Sequence, residues 1–153
     1  MARDFLSEVD FKSTVTHTST DAGSSAGPVI ELYRNSASPA DADYIGQIKF
    51  QGENDNDQKV IYAKITGKID DASDGSEDGI IEIAHQKAGS NNISARFTSD
   101  ALKLINGTGL EVAGTIQIDG ATTFGVDDTG VDVKFFGATS GRYMEWDESE
   151  DSL

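Results

Sequence analysis

Residues 107–137 read GTGLEVAGTIQIDGATTFGVDDTGVDVKFFG. Glycine punctuates this stretch at Gly107, Gly109, Gly114, Gly120, Gly125, Gly130 and Gly137. Between the glycines, apolar and polar residues alternate: Leu110, Val112, Ile116 and Ile118 point one way, and Glu111, Gln117 and Asp119 the other. A period of two is the signature of a strand. Each piece is too short to bury a core alone. Short strands with glycine turns at near-regular spacing mark a stacked or intertwined β assembly, whose interior is completed by neighbouring pieces or by other copies of the chain. The stretch predicts an elongated, oligomeric structural protein and argues against a compact enzyme.

Composition agrees with an all-β chain. The 153 residues suffice for one domain of usual size or two small modules. Hydrophobic residues make up 37%, which is low for a chain that must build its own core. There are 33 β-branched residues (13 Ile, 8 Val, 12 Thr) against 6 Leu, a balance that suits a pleated surface better than a helix. With 16 Gly and 2 Pro, many turns are expected.

The formal charge is −15, and residues 104–153 alone hold 10 acidic and 2 basic residues. Such a field repels phosphate backbones and anionic lipid, so neither nucleic acid nor a membrane is an expected partner. The absence of cysteine excludes disulfides, thiolate zinc sites and thiol catalysis. The first residues, MARDFLSEVDFKS, have no apolar run and do not read as a signal peptide. No stretch approaches the ~18 apolar residues of a membrane span. These features predict a protein that is made in the cytoplasm and stays soluble, or that leaves by a route reading no N-terminal signal, release by lysis being one such route.

Along the chain, residues 1–28 read as an N-terminal arm: an apolar cluster followed by the Ser/Thr/Gly-rich TVTHTSTDAGSSA. Residues 29–105 read as a β meander or sandwich domain. Its strand candidates are 29–34, 44–52, 58–69, 79–86, and 93–99 with 101–105 as one strand or two. The candidate at 58–69 has apolar residues on both faces, Ile61, Ala63 and Ile65 against Val60 and Tyr62, which suggests burial on both sides. The loops ENDND (53–57) and DDASDGSED (70–78) read as polar turns, the second joining two long strands as a hairpin. Residues 106–153 read as a Gly-rich β shaft of short strands with an acidic, aromatic end.

Two blocks carry a family resemblance. LEVAGTIQIDGATTFG (110–125) with VDVKFFGATSGRYMEWDESEDSL (131–153), and YIGQIKFQGENDNDQKVIYAKITGKIDDASDGSEDGIIEIAHQKAG (44–89), resemble segments of tail-fibre and related virion structural proteins of marine tailed bacteriophages, including those infecting cyanobacteria. The resemblance covers roughly residues 29–153 and includes no catalytic signature. It implies a trimeric, β-rich fibre or spike element located on the virion. In such proteins the W-D-x-S-x-D-x-L block is usually followed by more sequence. A short fibre subunit, a decoration protein and a piece of a longer chain are all compatible with Leu153 as the last residue here.

Candidate chemistry is sparse. Asp70, Asp74 and Asp78 are the residues a calcium ion would use, with Asp71, Ser76 and Gly75 in the same loop. Read as an EF-hand loop from Asp70, the match fails at Ala72 and Ile81, where oxygen ligands are needed. Asp, Asn, Ser and Gly are also what tight turns use, so the loop is read as a solvated turn, with no metal or cofactor expected. Asn54, Asp55, Asn56 and Asp57 form a second, looser group of the same kind. His17 and His85 have no ligand spacing, and neither a nucleophile elbow nor a phosphate loop occurs. Phe5, Leu6, Val9 and Phe11 are the expected anchor to another virion protein, ordering on assembly. Leu110, Val112, Ile116, Ile118, Phe135, Tyr143 and Trp146 are the expected interchain packing residues. Tyr143, Met144 and Trp146 read either as a sugar-stacking platform for a host surface glycan or as an interchain cap. The cap is favoured because Trp is rich in contact area and costly to expose.

The leading expectation is a non-enzymatic subunit of a homotrimeric tail fibre or spike. A capsid decoration or head-fibre protein and an extracellular glycan-binding β module are the alternatives.

Overall fold

The computed structural model describes residues 9–152, and all regular structure among them is β. No helix among the described residues is long and apolar enough to cross a membrane. The described residues fall into two units divided between Leu110 and Glu111.

The first unit is one antiparallel meander of five strands: β1 (Tyr44–Glu53), β2 (Lys59–Asp71), β3 (Asp78–Lys87), β4 (Ser90–Phe97) and β5 (Leu102–Leu104), paired in chain order. Local side-chain chemistry makes each turn. Asn54 closes β1–β2 by accepting the Asn56 and Gln58 amides on Oδ1, at 3.1 and 2.9 Å. Asp71 closes β2–β3 by accepting the Ser73 amide at 2.8 Å and the Ser76 hydroxyl at 3.1 Å. Ala88 and Gly89, both at positive φ, form a two-residue hairpin between β3 and β4. Thr98 Oγ1 accepts the amides of Asp100 and Ala101 before β5. The stretch expected as one strand or two after residue 93 is two.

The expected strand at 29–34 does not form, so residues without strand pairing run past 28 to the start of β1. Instead of pairing along the outer edge of β1, this segment lays Leu32 over Gly46. A β carbon added at Gly46 would sit 3.0 Å from Leu32 Cβ, so the glycine makes room for that contact. Arg34 then reaches the Tyr44 carbonyl at 2.8 Å and lies 3.4 Å from Asp43.

The polar side of the sheet is held by a row that crosses all five strands in register: Gln47, Thr66, Glu82, Arg96 and Lys103. Gln47 donates to Thr66 Oγ1 at 3.2 Å, and Arg96 Nε donates to Glu82 Oε1 at 2.9 Å. Lys68 Nζ stands 3.7 Å from the same carboxylate. Thr66 and Glu82 are only 1% and 3% exposed because the long stems of their neighbours cover them. The expectation of burial on both faces of β2 therefore fails. Lys64, Thr66 and Lys68 occupy one face, and a bulge at Phe50/Gln51 displaces Tyr62 from the regular alternation.

The second unit contains a hairpin of β6 (Val133–Phe136) and β7 (Tyr143–Trp146). Lys134 and Glu145 face each other at 2.7 Å, and Lys134 lies over the Tyr143 ring, 4.4 Å from its centroid. Asp132 accepts the Glu148 amide at 3.0 Å, tying the hairpin to the turn that follows it. Only some of the glycines mark turns. Gly107, Gly125 and Gly130 lie at positive φ, whereas Gly109, Gly114 and Gly120 do not. At Gly125, with φ 80°, a β carbon would fall 2.8 Å from the Gly130 carbonyl carbon.

Two stability changes follow. Arg96→Ala leaves the buried Glu82 carboxylate with only its longer contact to Lys68, and is expected to destabilise the first unit by about 1–3 kcal/mol. Lys103→Ala, on the same row but with no such partner, is expected to stay within about 0.5 kcal/mol. Urea midpoints of the two variants compare them directly. Gly125→Ala is expected to cost about 1–3 kcal/mol in the second unit, read as an earlier loss of Trp146 fluorescence change on heating.

Candidate assembly surface

Strand alternation and the register of the central rows gather apolar residues on the other face of the five-stranded sheet. One row is Ile48, Ile65, Ile83, Ala95 and Leu104; the next is Gly46, Gly67, Ile81, Phe97 and Leu102. Phe50, Ala63, His85 and Asn92 form a third row, where His85 Nδ1 lies 2.6 Å from Ser94 Oγ. The first two rows contain no charged residue. They are also uncovered: Ile48, Ile65, Ile81, Phe97, Leu102 and Leu104 are all exposed, and the buried apolar residues among those described are Ala84 and Ala95. Fully burying one Ile, Leu or Phe contributes about 1.5–3 kcal/mol, so covering these half-exposed rows represents on the order of 5–10 kcal/mol per chain.

The opposite face carries Lys49, Lys64, Lys68, Arg96 and Lys103 against the single carboxylate of Glu82 in its central rows. A chain of net charge −15 thus has one locally basic sheet face and one uncharged one.

A second unsatisfied feature is the backbone of residues 109–125. Among the described residues it exchanges no hydrogen bond with any other backbone group. The short strands expected there do not form within the chain, because a strand needs a ladder and no neighbouring segment supplies one. Leu110, Val112, Ile116 and Ile118 all lie on this segment and are exposed. Residues 9–33 likewise make no backbone–backbone hydrogen bond among those described. Val9 and Phe11, from the expected anchor, are exposed there; Phe5 and Leu6 fall outside the described residues.

In the second unit, alternation splits the expected aromatic trio. Trp146 pairs with Val133 and Met144 with Phe135 on one face of the hairpin, while Tyr143 pairs with Phe136 on the other. Phe136 and Tyr143 meet edge to face, 6.2 Å between centroids. Tyr143 and Trp146 therefore cannot form one stacking platform. Trp146 and Phe135 instead line an open apolar depression with Phe124, Val131 and Val133.

The acidic loops are structural. Asp71 organises the 70–78 loop, whereas Asp70, Asp74 and Asp78 are exposed and not gathered around a point. Among the described residues, no three His, Asp or Glu side chains are placed to hold a metal ion. Asn54 is committed to the turn of the second, looser group. Asp147 similarly organises the last turn through the Ser149 hydroxyl at 2.6 Å and the Ser149 amide at 2.9 Å, bonds that hold its carboxyl below the ordinary value.

No protein-family model, no curated protein and no solved structure matches this chain.

The uncharged rows are what sequence reading missed. Their signal was present: Lys49, Lys64, Lys68, Glu82, Arg96 and Lys103 all fall on alternate positions to the apolar residues, so the strands share one polar phase.

The Asp71 turn gives a pH test. The Ser73 amide, then the Ser73 and Ser76 hydroxyls, lower the Asp71 pKa. A lowered folded-state value means that the contribution to loop order is present above the ordinary carboxylate pKa and is lost as pH falls through the lowered one. By NMR titration, Asp71 is expected to ionise below the ordinary range, and Ser76→Ala to move it back toward that range.

Proposed function

We propose that this chain is a non-enzymatic structural subunit of a phage virion, acting as a homotrimer in a tail fibre or spike. The observation that carries the proposal is that the chain leaves its own hydrophobic residues uncovered. In the first unit alone Ile48, Ile65, Ile81, Phe97, Leu102 and Leu104 are exposed, each between 37% and 57%. Apolar rows of this extent are the kind of surface that an interface between copies removes from water.

The function would be mechanical. Copies would share an interior, and the unpaired backbone of 109–125 would find strand partners between chains, which removes open edges. The N-terminal residues, including Val9 and Phe11, would attach the subunit to another virion protein. Resemblance to fibre proteins of marine tailed phages supports this over other self-assembling roles.

Light scattering after size exclusion tests the reading. The expected mass is about 49 kDa, three times the 16.3 kDa chain. A homogeneous 16.3 kDa species across the micromolar range would overturn it.

A further inference from the structure

We infer that the uncharged sheet face, centred on Ile48, Ile65, Ile83, Ile81, Phe97 and Leu102, packs against the same face of other copies of this chain and forms their shared dry interior. This rests on the reading of the chain as a self-assembling subunit and adds which surface does the assembling.

Charge selects the surface. Copies of a chain carrying −15 repel wherever acidic surfaces meet. The polar sheet face is no better, because Lys49, Lys64, Lys68, Arg96 and Lys103 would meet their own counterparts with only Glu82 to offset them. The two apolar rows bring no charge to a homotypic contact. On the central strands β2, β3 and β4 the backbone groups are already paired on both sides in the ladder, so drying that part of the face orphans none of them.

Among the described residues of the first unit, none covers these rows. Leu32 seats on Gly46 at one corner, and the rows beyond it remain exposed. Val29, Ile30 and Tyr33, beside Leu32, are exposed rather than folded over the sheet. Beta-branched and aromatic side chains presented in register across five strands are the kind of surface that sheets pack face to face, about 10 Å apart. Gly67 and Ala63 lie between bulkier Ile65, Ile81 and Phe50, giving the relief that interdigitation requires.

Because the native chain has no cysteine, single-cysteine variants report burial cleanly. The full chain is prepared as Ile65→Cys and as Lys49→Cys, its mass is measured, and each is treated with a maleimide-polyethylene glycol reagent under native conditions. At the native assembled mass, the Ile65→Cys thiol is expected to react at least tenfold more slowly than the Lys49→Cys thiol. Equal rates in assemblies of native mass would overturn the inference while leaving self-assembly intact. A native chain that is itself monomeric would overturn both. As a second measurement, Ile65→Asp is expected to drop the mass to 16.3 kDa while Lys49→Asp keeps the native mass. An Ile65→Asp variant that holds the native mass counts against the inference whatever the labelling shows.

Discussion

The first unit depends on one constraint, the register of the polar row at the centre of its meander. Once Gln47, Thr66, Glu82, Arg96 and Lys103 align across five strands, every apolar residue one position away is committed to the opposite face. A one-residue slip between two strands would turn one strand's faces over, setting for example Ile65 or Gly67 opposite Glu82 in place of Thr66. The Arg96–Glu82 pair at 2.9 Å and the Gln47–Thr66 bond at 3.2 Å penalise that slip. Their main effect is to fix which face is which, because the net contribution of each hydrogen bond to stability is modest. The side-chain-closed turns at Asn54 and Asp71 act in the same direction by setting where each strand must begin.

The usual relation between burial and polarity is inverted in this sheet. Thr66 and Glu82 are among the least exposed residues, while Ile65 and Ile81, their neighbours along the strands, are exposed. Long Lys, Arg and Gln stems can bury short polar residues without a second layer, but nothing local can do the same for isoleucine. A sheet with one bare apolar face is a half-structure in energetic terms, because two or more packed layers are what normally remove such a face from water. The same incompleteness recurs in residues 109–125, where the missing part is a strand ladder. Both deficits would be met by further copies of the chain.

Much of the fold was legible because strand signals are local. The alternation in YIGQIKFQG, QKVIYAKITGKI and GIIEIAHQ located β1, β2 and β3 to within two residues, and the loops between them contained the Asn, Asp, Ser and Gly that turns demand. VIELYR failed because strand propensity does not say whether a pairing edge is available; Leu32 found the Gly46 depression instead. The 110–125 pieces failed as intrachain strands for the same reason. The candidate surface was harder to read because it depends on pairing partners distant in sequence. Ile48, Ile65, Ile83 and Leu104 become one row only when four strand registers are known. Conversely, Tyr143 and Trp146 looked like one cluster in sequence, and β7 alternation sends them to opposite faces.

The distribution of charge would limit how far a chain with such exposed apolar rows can aggregate. A net charge of −15 provides repulsion that, at physiological salt, acts over about 8 Å. Contacts that dry a charge-free face can overcome it, and loose contacts elsewhere cannot. In the proposed assembly the apolar faces turn inward and lysines 49, 64 and 103 turn outward, where like charges discourage a further sheet from stacking on the closed particle. Long side chains with charged tips are also the usual protection for open sheet edges. The placement of charge would then act as a stop signal. Association proceeds until the uncharged rows are covered, and the surfaces that remain are ones that copies of this chain repel.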